Sequence, residues 1–120
     1  MARNQVFHDA DRISLPVPAN TVSGDPVTVG GLHGVAQTDR ATATNFGGGN
    51  ETGQATVWLA GAFELPVDAA VEAGAPVYHA GDATTRAAEL TATAPADGAT
   101  PFGHALAATS AAGPATIRIA

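Results

Sequence analysis

Phe63-Glu-Leu-Pro-Val-Asp-Ala-Ala-Val-Glu-Ala-Gly-Ala-Pro-Val77 has an earlier counterpart, Ile13-Ser-Leu-Pro-Val-Pro-Ala-Asn-Thr-Val-Ser-Gly-Asp-Pro-Val27. Laid over each other without a gap, seven of the fifteen positions are identical. Internal repetition constrains the whole architecture. Within each copy, apolar and polar residues alternate up to Leu15 or Leu65, the period of a half-buried strand. The proline that follows has no N–H for a ladder, so it ends the strand or sits on an edge. A polar surface crossing comes next. Gly24 and Pro26, or Gly74 and Pro76, then make a turn, because Gly tolerates positive φ and Pro fixes φ. Val27 or Val77 opens the following strand. The unit reads as strand, surface crossing, turn, strand.

The match continues more weakly. Gly34-Val35-Ala36 parallels Gly103-His104-Ala105, and Ala55-Thr-Val-Trp-Leu59 parallels Ala115-Thr-Ile-Arg-Ile119. The offset drifts, which predicts loops of different length in the two halves. Two readings fit: two related β-rich halves, about 12–60 and 61–120, or common strand-end and turn chemistry met twice. The first is preferred. Pro or Gly punctuates the chain every few residues, leaving little room for a helix of ordinary length. The expected fold is all-β, a small barrel or sandwich of short strands with at most one short helix. Residues 83–99 fit either a short helix over 84–90 or a strand over 90–94. Residues 1–11 form a polar N-terminal arm, and 12–120 a single domain.

The chain of 120 residues has a formal charge of −6, five Arg and no Lys. That balance argues against a nucleic-acid footprint, which needs a basic patch. No Cys is present, so disulfides and thiolate metal sites are excluded. No apolar run approaches the ~20 residues of a membrane span, and no signal peptide is visible. Only 13% of the residues are charged. The surface is therefore built largely of small polar and apolar groups, which suits a chain packed against neighbours.

Catalytic patterns are sparse. Gly47-Gly48-Gly49 lacks the Lys and the helix of a phosphate loop. His8, His33, His79 and His104 have no zinc spacing, and His8-Asp9-Ala-Asp11 is at best a weak cation site. Glu64, Asp68 and Glu72 read as scattered surface acids rather than a paired-carboxylate cleft. Trp58, Phe63, Tyr78 and Phe102 could stack sugars, but one aromatic per strand is better read as core filling. No cofactor is expected, and no enzyme activity.

Several stretches carry a resemblance. They are Asn4-x-Val6, Asp9-x-Asp11-Arg12-Ile13-x-Leu15-Pro16-Val17, Ser23-Gly24-Asp25-Pro26-Val27, Gly34-Val35-Ala36, Val57-x-Leu59-x-Gly61-x-Phe63-x-Leu65-Pro66-Val67, Pro101–Leu106 and Ile117-Arg118-Ile119. Together the chain resembles small tailed-phage capsid decoration, or cement, proteins. The likeness is weakest over 41–54 and 83–99. Some members of that family carry a recombinase label, which the missing phosphate loop and acidic charge make physically implausible here.

The resemblance implies a structural virion protein on the outer surface of the expanded head, made in the bacterial host cytoplasm. It implies a homotrimer that clamps the major capsid protein, with no direct nucleic-acid or membrane partner. Arg3, Asn4, Gln5, Val6 and Phe7 are the candidate capsid-binding residues, since an alternating arm can add a strand to a neighbour's sheet edge. A virion-surface carbohydrate-binding module is the alternative.

Overall fold

The computed structural model describes residues 11–42, 44, 50–82, 84–95 and 98–119. These form eight strands and, among the described residues, no helix. The strands are β1 (Arg12–Pro16), β2 (Pro26–Val29), β3 (Leu32–Ala36), β4 (Gln54–Trp58), β5 (Gly61–Val67), β6 (Pro76–Val77), β7 (Gly103–Ala105) and β8 (Gly113–Ile119). They build two four-stranded antiparallel sheets, ordered β1-β4-β3-β2 and β5-β8-β7-β6.

The second order is the first advanced by four strands, and the registers agree residue by residue. Ile13 lies opposite Val57 as Phe63 lies opposite Ile117. Val27 faces Gly34 as Val77 faces Gly103, and Ala36 faces Val57 as Ala105 faces Ile117. Turn bonds recur too: Gly24 N–H donates to Ala36 C=O, and Gly74 N–H to Ala105 C=O, both at 2.7 Å. Gly24 and Gly74 have φ of 93° and 83°, the region that Gly enters without a Cβ penalty. The repeated sequence is thus a repeated backbone.

The same duplication explains two internal glycines. A Cβ on Gly103 would lie 2.5 Å from Arg118 O and 2.9 Å from Ile117 Cγ2. A Cβ on Gly34 would collide with Trp58 O and Val57 Cγ1. Each glycine lets β3 or β7 lie tight against its inner neighbour.

Prolines sit where a missing N–H costs nothing. Pro16 ends β1, while Pro26 and Pro76 begin β2 and β6, all edge strands. Pro66 in edge strand β5 faces Pro114 in the inner strand β8. Its carbonyl accepts Leu90 N–H at 2.8 Å, so its backbone points away from β8 and the pair needs no ladder bond.

Residues 84–92 are irregular apart from two bridges. Leu90 pairs parallel to Val67, and Thr91 antiparallel to Tyr78. Four bonds of 2.8–3.0 Å make this clasp: Leu90 N–H to Pro66 O, Asp68 N–H to Leu90 O, Tyr78 N–H to Thr91 O, and Thr91 N–H to Tyr78 O. Backbone pairing therefore runs from β5 through β8, β7 and β6 and back to β5. The second sheet is thus bridged across its two edges, and among the described residues the first is not. Leu90, 1% exposed, fills the closure beside Leu65, Val67, Val77, Phe102 and Ile117. Val35 of the first sheet joins that core, while Val17, Val27, Ala36, Ala55 and Val57 form a smaller one.

Truncating the clasp is expected to be costly. Leu90→Ala should lower unfolding free energy by about 2–5 kcal/mol, because the emptied site is walled by strands that cannot collapse. Gly103→Ala should cost about 1–3 kcal/mol by overpacking. Gly31→Ala, with no atom near its added Cβ, should stay within about 0.5 kcal/mol. Urea denaturation of the three variants checks the order; equal stability of all three would refute the packing account.

Candidate functional site

Two features bring chemistry-bearing side chains together at the junction of the sheets. The first is a groove of about 590 Å³. Leu32, Leu59, Phe102 and Leu106 supply its apolar wall, and His33, His104 and Arg118 its polar edge. Leu32 and Leu106 are 45% and 52% exposed, whereas the other large apolar groups among the described residues, Val22 excepted, are mostly covered. Among the described residues, no acidic side chain lines the groove.

The second is a relay across the junction. Thr28 on β2 directs its hydroxyl between two rings: His33 Nδ1 at 3.1 Å and His79 Nδ1 at 2.8 Å. His79 Nε2 lies 2.7 Å from Ala87 O. A carbonyl only accepts, so Nε2 of the neutral ring carries the hydrogen and Nδ1 is the acceptor. Thr28 must donate to His79 and accept from His33 Nδ1–H. Phe102, 3% exposed, stands with its ring centroid 5.5 Å from both imidazoles. A second polar tie lies nearby, where Arg86 Nε and Nη2 donate to the Asp25 carboxylate at 2.6 and 3.1 Å. This fork–fork pair links the β6–β7 connection to the turn before β2.

Burial lowers the pKa of both His33 and His79 below the ordinary value. For His33 the neighbouring His79 lowers it further. For His79 the bond to Ala87 and the charge of Asp25 act the other way and are outweighed. The relay thus favours two neutral rings.

Arg3, Asn4, Gln5, Val6, Phe7, His8, Asp9 and Gly47–Gly49 lie outside the described residues. Glu64, Asp68 and Glu72 are exposed, Asp68 accepting Ala92 N–H at 3.1 Å. None of the three lines the groove. Among the described residues, no three His, Cys, Asp or Glu converge on a metal position. Trp58 is half-buried with the Arg12 guanidinium 4.8 Å above its ring centre. Phe102 and Phe63 belong to the core. Sequence reasoning missed the groove, although Leu106 carried a signal: it continues the exposed parity of His104, where a strand usually places polar groups.

The relay predicts a pH dependence with a definite sign. Unfolding returns both rings to about 6.5. As pH falls through that value the unfolded state takes up protons that the folded state resists, so stability falls. The melting temperature should drop between pH 7.5 and 5.5, and the drop should shrink in His79→Gln. A melting temperature that is flat or rises on acidification over that range would contradict the relay.

Neither a curated protein nor a solved structure matches the chain. A family model described as phage cement protein matches residues 7–120, nearly the whole chain, including both sheets and the groove between them. With an all-β, doubled architecture and that match, the chain belongs to the phage cement protein family.

Proposed function

We propose that this protein decorates the outside of the expanded phage head and holds neighbouring major capsid subunits together, acting as a homotrimer. Cement proteins are structural parts of the phage capsid, and the family match over residues 7–120 is the observation that carries the reading. The surface supports it. Leu32 and Leu106 expose apolar area at a groove edged by Arg118 and two histidines, a form suited to protein contact. The net charge of −6 suits an outer face better than one turned toward DNA.

Trimer formation supplies the binding strength that one small contact lacks. Linked contacts raise avidity by ~10²–10⁴, and a bound trimer stabilises the shell state that it prefers by mass action. Arg3, Asn4, Gln5, Val6 and Phe7 reach the capsid as an added strand in this reading. The carbohydrate alternative fares worse, because Arg12 covers a face of Trp58 and Phe102 is buried.

Mixing the purified protein at micromolar concentration with undecorated expanded shells, then sedimenting them, tests the role. Protein should pellet with the shells, and protein left in the supernatant overturns the proposal. Native mass measurement should give three copies of the 11.8 kDa chain. Deleting residues 2–8 should leave the melting temperature unchanged while weakening shell binding by roughly tenfold or more; full binding by the truncated chain would remove the arm from the account.

A further inference from the structure

The two sheets share order and register but differ in one respect: the second is bridged by Leu90 and Thr91, and among the described residues the first has no equivalent insert. The connection from β6 to β7 is long enough to carry the clasp, whereas β2 and β3 are joined only by Gly30-Gly31.

The groups that the clasp would bind are present in the first sheet. Leu59 N–H donates to Asp11 O, and Val17 N–H to Gly53 O, which marks the bonded pairs of the β1–β4 ladder. Antiparallel pairs alternate, so Ser14 and Pro16 turn their backbone groups away from β4. By the same alternation, Ala36 N–H on Asp25 O leaves Thr28 facing outward from β3. Pro16 matches Pro66, and Thr28 matches Tyr78. No backbone bond from Pro16 C=O, Thr28 N–H or Thr28 C=O is made to any described residue. The core shows the same gap: Leu15 is half-buried where its counterpart Leu65 is 1% exposed.

We propose that the interval between the β1 and β2 edges is an acceptor slot for a short extended segment of the capsid shell protein. The segment places one aliphatic side chain beside Leu15 and pairs its backbone with Pro16 and Thr28, as Leu90 and Thr91 do with Pro66 and Tyr78. The slot itself is argued from this molecule's own second sheet; the shell as the source of the segment rests on the function proposed above. An open edge pairs readily with an added strand, and the resident clasp defines the chemistry: an aliphatic residue followed by a β-branched one, with N–H groups free at both. Pro18 stands where Asp68 donates to the clasp. The slot therefore offers one bond fewer than its closed counterpart and suits a reversible occupant.

The probe is a capped synthetic peptide with the sequence of Arg86–Thr93, added to the isotopically labelled full-length protein. The Ser14 and Thr28 amide signals should shift saturably at millimolar peptide while Tyr78 stays fixed. The same peptide with Asp in place of its Leu should have no effect. Absence of shifts at Ser14 and Thr28 overturns the slot.

Amide exchange then identifies the occupant. On decorated shells, exchange over β1 and β2 should slow by roughly tenfold or more relative to the free protein. Shell binding with unchanged exchange there overturns the assignment and leaves the cement role intact. Peptide docking without any shell binding does the reverse. Protection in the dilute free protein, or protection that grows with its concentration, would assign the slot to this chain's own arm or to a second copy and overturn the shell assignment.

Discussion

Two residues decide the difference between the halves of this molecule. Leu90 and Thr91 make four backbone hydrogen bonds to Pro66, Asp68 and Tyr78, and Leu90 also fills the space between the strands that those bonds draw together. The bonds alone would gain little, since each replaces a bond to water. The buried side chain alone would have no register. Joined, they tie the two edge strands of a four-stranded sheet to each other over part of their length and so shorten the open edge that a β protein must otherwise guard.

The shared register follows from small residues in fixed places. Gly34 and Gly103 allow close strand approach, and Gly24 and Gly74 turn the chain at positive φ. These were legible because a turn that needs Gly, or an edge that tolerates Pro, leaves a residue-level mark. The strands from Arg12 to Pro16 and from Gly61 to Val67 were legible by alternation. Offsets between matching segments also signalled unequal loops.

The clasp was not legible. Leu90-Thr91-Ala92 alternates like a strand, and the preceding Ala-rich stretch has helix propensity. The decision belonged to partners more than ten residues away on either side. The groove and the relay were hidden for a similar reason. Thr28 and His79 are 51 positions apart, and nothing in their spacing says that one hydroxyl serves two rings. Histidines that looked unconnected as metal ligands are connected as hydrogen-bond partners. The one open hint was Leu106, an apolar residue at an outward position.

The β1–β4 ladder has a mechanical meaning. Arg12–Pro16 runs antiparallel to Gln54–Trp58 along its whole length, and the segment before it joins at Asp11, whose carbonyl is itself tied to Leu59. Tension applied at that end along the strand axis loads the ladder in shear, so its bonds share the force and must rupture together. The opposite geometry would let them fail one at a time, like a zip.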